Sequence, residues 1–210
     1  MAVCSVKSLP DSAVVVGARP ADLGWWLAEA VDDGRGAVVA GPFVSRGEAG
    51  WEAGTHAEGG VCVVYGLRTP EGRIKRRPSP QEWAWLAYLG EQLGRLPDEW
   101  DDVVDDEDPL TTLVVEITAA LAEAGLPLHD ATGDDGALGG ACLGCEPDLG
   151  GIVVSWRQHE RMSVDQVHGV ALDSAVQDVL NNALADVLAV RGFAVEPFGG
   201  GSGHLVRRVA

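Results

Sequence analysis

The sequence predicts an α+β protein of two small domains, each a short sheet covered by helices. Three observations carry that expectation. The stretch DEWDDVVDDED, residues 98–108, holds eight carboxylates in eleven positions; they repel one another and offer little to bury, so it reads as an acidic linker. Residues 1–97 alternate strand and helix patterns in the order β-α-β-α-β-β-α. Residues 109–210 read α-β-β-β-α-β-β, which predicts a mainly antiparallel second sheet.

In the first half, AVVVG at 13–17 is a short apolar strand pattern, and Pro20 suits the first position of a helix. Leu23, Trp26, Leu27, Ala30 and Val31 then recur at helical spacing, which predicts a helix ending at Gly34. A strand follows over 37–43. Ser45 and Glu48 stand in capping-box spacing before a short helix diluted by Gly47, Gly50 and Gly54. VCVVYGLR, 61–68, is the strongest strand pattern of this half, and TPEG after it has Pro and Gly where a type I turn wants them. Residues 73–77 form the returning arm. Ser79, Pro80 and Glu82 make a second capping box, opening a helix to about Leu96 with Trp83, Leu86, Ala87, Leu93 and Leu96 on its expected inner side.

The run VVAGPFVSRGEA, 38–49, resembles the strand, GPF turn and R-x-E-A helix start of SPOR-type peptidoglycan-binding domains. The resemblance covers about a dozen of the 210 residues and implies a role in the cell envelope. Gly17, by contrast, lacks the further glycines or the Lys-Ser/Thr pair of a nucleotide loop.

In the second half, Asp108 and Pro109 start a helix whose Leu110, Leu113, Val114, Ile117 and Leu121 share one face until Gly125. Residues 126–130 read as a short strand, TGDDGALGG as loop, and 141–145 and 152–158 as strands joined by a turn. RQHERMSVDQVHG, 157–169, reads as irregular. Asp173 or Ser174 caps a long helix with Val176, Val179, Leu180, Ala183, Leu184, Val187 and Leu188 on one face, closed by Gly192. A hairpin of 193–198 and 204–209 completes the chain. The order predicts both helices on one face of the sheet; LAEAGLPLHD and LAVRGFAVEP each leave a helix through glycine into a strand, a correspondence that fits either an old duplication or convergence on a good helix stop.

The net charge is −17. Residues 1–97 are nearly neutral, with ten basic against eleven acidic side chains, so the acidity belongs to the linker and to 109–210. Such a field disfavours nucleic acid and anionic membrane and favours a protein partner with a basic surface. Two lysines against thirteen arginines also resemble proteins encoded at high GC content, where acidic chains are common. No apolar run approaches the ~18 residues of a membrane span, and residues 1–12 lack a leader pattern, so a cytoplasmic chain is expected. Its four cysteines are then expected reduced.

The leading expectation is a non-enzymatic, regulatory protein–protein interaction with a basic or apolar partner surface. Its candidate residues are Trp25, Trp85 and Trp100, the linker's Asp101, Asp102, Asp105 and Asp106, and the hairpin's Arg73, Arg76 and Arg77. In the pairs Trp25–Trp26 and Trp83–Trp85 a helix turns only one member inward, which points to Trp25 or Trp85 at a surface. An alternative is an enzyme or small-ligand site in the loop 157–168, where His159, Glu160, Arg161 and His168 gather after a strand. A further alternative is nucleic-acid binding through 68–77, five cations in ten residues. Cys142 and Cys145 have half the spacing of a zinc site, but a strand turns them to opposite faces, and the reading calls for no metal and no cofactor. Ser155 has no nucleophile-elbow glycines.

Overall fold

A computed structural model describes residues 23–30, 36–56, 60–97, 100, 108–133, 138–162, 170–201 and 203–209. Its elements are β1 (Leu23–Glu29), β2 (Val38–Phe43), α1 (Arg46–Thr55), β3 (Val61–Arg68), β4 (Ile74–Arg76), α2 (Pro80–Leu93), α3 (Pro109–Glu123), β5 (Gly140–Glu146), β6 (Gly151–Arg157), α4 (Val170–Val190), β7 (Phe193–Phe198) and β8 (Gly203–Arg208). They form an α+β fold with two four-stranded antiparallel sheets, ordered β2-β1-β3-β4 and β5-β6-β8-β7. The chain divides into two compact units between Ala84 and Trp85, inside α2. The strand pattern at 13–17 and most of the acidic linker lie outside the described residues; of the linker, Trp100 and Asp108 are described.

Residues 23–29, expected as a helix, are instead the central strand of the first sheet, paired with β2 on one side and β3 on the other. A strand buried on both faces reads as a continuous apolar run, and GWWLA is one; over so few residues such a run also satisfies helical spacing. Trp25 and Leu27 face α1, where Ala49, Phe43, Val63 and Tyr65 complete a small core. Trp26 faces the other way and is only 1% exposed. The sheet curls around it. Ala37 bridges Arg73, and Val38 N–H donates to the Gly72 carbonyl at 3.1 Å, so the outer strands meet. The Trp26 indole N–H donates to the Gly66 carbonyl at 3.1 Å, and the Arg68 guanidinium lies 5.8 Å from the ring centre.

The GPF run is a bulge, not a turn. Trp25 pairs with Phe43 but Leu27 with Ala40, so β2 carries one residue too many opposite Trp26. Gly41 absorbs it at φ +121°, where a Cβ would come within 2.9 Å of both the Trp25 carbonyl oxygen and the Trp26 ring. Ser45 caps α1 through the Glu48 N–H at 3.1 Å, and β3, the TPEG turn and β4 follow as the sequence implies. In α2 the inner face differs from expectation. Trp83, Leu86 and Ala87 are exposed, whereas Gln92 is buried and its Oε1 accepts from Leu128 N–H at 2.9 Å. A buried amide that closes a hydrogen bond competes with leucine for an inner position, and apolar spacing does not reveal it.

In the second unit, α3 and α4 cover one face of the sheet. Ile117, Leu121, Leu184 and Leu188 pack on Ile152, Val154 and Val206, each such side chain contributing about 1.5–3 kcal/mol by leaving water. Asp108 and Pro109 start α3 as expected, with Asp108 accepting from Leu110 N–H at 2.8 Å. Residues 126–130 reduce to a single parallel bridge, Leu128 to Ala141. α4 begins at Val170, ahead of the expected cap at Asp173 or Ser174, and Val179, expected inside, is 66% exposed. Buried Asn181 replaces it on the inner stripe. There Asn181 Oδ1 accepts from Trp156 N–H at 2.7 Å and the Gln177 side-chain amide donates to the Trp156 carbonyl. β8 pairs with β6 only over Ile152–Val154, so these α4 side chains satisfy backbone that β8 leaves behind.

Because Gly41 combines a left-handed φ with two close approaches, Gly41→Ala is expected to destabilise the first unit by about 1–3 kcal/mol, read by urea unfolding followed through tryptophan fluorescence. Gly50→Ala, on an open helix face with nothing within 4 Å, is the control and is expected to stabilise by up to about 1 kcal/mol.

Candidate functional site

β3 has eight residues and β4 three, and the mismatch creates a cleft in the first unit. β4 pairs with Gly66, Leu67 and Arg68, and Arg77 N–H donates to the Tyr65 carbonyl at 3.0 Å; there the ladder ends and the chain turns through Pro78 into α2. The resulting cleft of about 270 Å3 is lined by Val63, Val64 and Tyr65 of β3, by Arg76 and Arg77, by Ser79, Gln81 and Glu82 at the head of α2, by Arg46 at the head of α1, and by Trp25. Trp25 and Tyr65 meet edge to face with ring centres 5.2 Å apart.

The head of α2 is closed by a reciprocal cap. Ser79 N–H donates to Glu82 Oε2 at 2.6 Å, and Glu82 N–H donates to Ser79 Oγ at 3.2 Å. The Ser79 N–H foremost, and the Ser79 side chain next, hold the Glu82 carboxyl below the usual range, assisted by the charges of Arg76 and Arg46. Arg76 reaches Glu82 at 3.7 Å through solvent. Among the described residues Arg46 and Arg77 form no ion pair; Arg76 and Arg46 act on a Glu82 carboxylate that is already bonded, and Arg77 is a third arginine in the cleft lining.

The structure brings together three of the residues singled out in the sequence, Trp25, Arg76 and Arg77, and adds Arg46, whose place at a helix head 30 positions earlier gave no signal. Arg73 stands apart; its backbone closes the β3–β4 turn with Thr69. Trp25 is buried, Trp85 is half-buried 6.0 Å from Tyr88, and Trp100 packs partly against the core of the second unit. The exposed tryptophans are Trp51 and Trp83, at 77% and 49%. Asp101, Asp102, Asp105, Asp106 and His168 lie outside the described residues.

In the second unit a polar cleft of about 520 Å3 is lined by Cys142, Ser155, Trp156, Arg157, Gln158, Glu160, Asp173 and Gln177. From the predicted loop it takes Arg157, Gln158 and Glu160, of which Glu160 is one of the four singled out. His159 instead accepts the Arg161 N–H at Nδ1, 3.1 Å, in a local turn, and Arg161 is exposed. Gln158 Oε1 and Asp173 Oδ1 are buried there without a hydrogen-bond partner. Cys142 sits opposite Ser155 and Cys145 opposite Ile152, on opposite faces of the sheet. Burial pushes both thiols above their usual range, more than nearby Arg157 offsets at Cys142 and with Asp108 and Glu146 adding to it at Cys145. Raised thiols are poor nucleophiles and poor metal ligands at neutral pH.

Comparison with family models, with curated proteins and with solved structures finds no match to this chain. Among the described residues no helix is long and apolar enough to cross a membrane.

Glu82 gives the cleft a pH signature. Its folded pKa is depressed, so its contribution to the α2 cap is present above the usual glutamate range and is lost as pH falls through the folded value. A carbon-detected NMR titration is expected to find Glu82 titrating below the usual glutamate range, and Ser79→Ala, which removes the hydroxyl but keeps the N–H, is expected to move it only part of the way back up.

Proposed function

We propose that this chain is a protein-interaction module that meets an apolar partner surface with a basic rim. The observation that supports this most is Trp51, a whole indole standing 77% exposed on α1. Exposed tryptophan is costly in water, and tryptophan is the residue most enriched at the energetic centres of interfaces. Gly47 and Gly54 share its helix face at i−4 and i+3, so a partner can lie close against the backbone beside the ring. Glu48 and Glu52 flank it, which suits basic side chains at the partner's rim, in line with the chain's net charge of −17.

A second reading rests on the unpartnered Gln158 Oε1 and Asp173 Oδ1 in the polar cleft of the second unit. Two buried acceptors on residues that line the cleft suit a small ligand that donates hydrogen bonds, such as an amine or amide.

The test is capture from source cells with a photo-crosslinking side chain at position 51, beside quantitative pull-downs with Trp51→Ser and Trp83→Ser. One crosslinked partner is expected, with its affinity for Trp51→Ser lowered about 30-fold or more and the melting temperature unchanged. Equal recovery of all proteins by wild type and variant would exclude α1 as the interface.

A further inference from the structure

In an antiparallel strand the N–H and C=O of one residue point to the same side and those of the next residue to the other. Along β3 the sides are fixed by observed bonds. Tyr65 C=O accepts from Arg77, and Thr69 N–H donates to Arg73 O at 2.8 Å, so odd-numbered residues face β4; Gly60 C=O accepts from Ala30 at 2.7 Å, so even-numbered residues face β1. The pairing of β3 with β1 runs from Val61 to Leu67 without a register shift, so the alternation holds throughout. Val61 and Val63 therefore turn their backbone groups toward the side on which β4 has ended. Among the described residues nothing pairs with them there.

The second unit shows how a strand outrunning its neighbour is otherwise handled, since Asn181 and Gln177 reach down from α4 to the backbone of Trp156. Along Val63 no side chain among the described residues takes that role, and the cleft beside it is lined by Arg46, Arg76 and Arg77. An open edge supplies main-chain affinity to an extended segment, and side chains beside it select what that segment carries. A cleft lining with three arginines and one capped carboxylate selects anions, and carboxylates bind guanidinium groups bidentately.

We infer that the Val61–Val63 edge of β3 binds an extended acidic peptide segment by strand addition, its carboxylates received by Arg46, Arg76 and Arg77. The inference deepens the protein-binding reading and rests on it, while using a different surface from Trp51. Side chains alternate along an added strand, so the segment carries its acids at every second position.

The experiment titrates the full chain with a capped heptapeptide alternating Asp and Thr, followed by calorimetry and by amide NMR shifts. Three further probes are the same peptide N-methylated at alternate amides, its Lys-for-Asp counterpart and a single-stranded oligonucleotide of equal charge. Binding of the acidic peptide is expected, weakened about tenfold or more by N-methylation and by the double variant Arg46→Gln, Arg77→Gln. Arg73→Gln, on the same hairpin but outside the cleft, is expected to stay within about twofold. No binding by about 1 mM peptide, equal binding of the N-methylated peptide, equal binding of the oligonucleotide, or an equal effect of Arg73→Gln overturns the inference. Partner capture that still depends on Trp51 would then leave the broader reading standing.

Discussion

The ladder between β1 and β3 is what the first unit depends on. It pairs all seven residues of β1 in unbroken register and sends Trp25 and Trp26 to opposite faces of one sheet. Each face then needs its own cover: α1 and its alanines close over Trp25, and the curl of the sheet, with the bulge at Gly41, closes over Trp26. A central strand with two large aromatic rings side by side leaves no open face. Among the described residues what stays open is an edge, because the strand outside β3 is shorter than β3 itself.

The two units meet the same physical requirement differently. A backbone group that leaves water must be bonded or it costs free energy of the order of a lost hydrogen bond. In the second unit α4 spends two inner positions, Gln177 and Asn181, on the backbone of Trp156, at the expense of apolar packing. In the first unit the corresponding backbone, at Val63, lies beside a cleft rimmed with guanidinium groups. The contrast supports reading the Trp156 arrangement of the second unit as structural and the Val63 edge of the first unit as a place for a partner.

Local chemistry and the pairing of strands joined by short turns were legible in the sequence, and pairing across longer separations was not. Both capping boxes, the Asp108–Pro109 start of α3, the turn after Arg68 and the glycine stops at Gly125 and Gly192 rest on contacts a few residues apart, and each is present. The strand at Leu23–Glu29 could not be separated from a helix by spacing alone, since its identity comes from β2 and β3 lying on either side. Gln92 and Asn181 look like surface residues until their partners, Leu128 and Trp156, are in place. The cleft was half visible: the arginines of the hairpin stand out, whereas Arg46 and the open edge depend on where β4 stops.

Hydrogen–deuterium exchange resolved by residue along β3 tests this account most directly. The amides of Cys62 and Val64, bonded to β1, are expected to be protected, while those of Val61 and Val63 exchange at least tenfold faster than their neighbours. An alternation of that kind would place a free edge where the peptide is proposed to add. Protection of Val63 equal to that of Val64 in the isolated chain would mean that the edge is already occupied, and would contradict it.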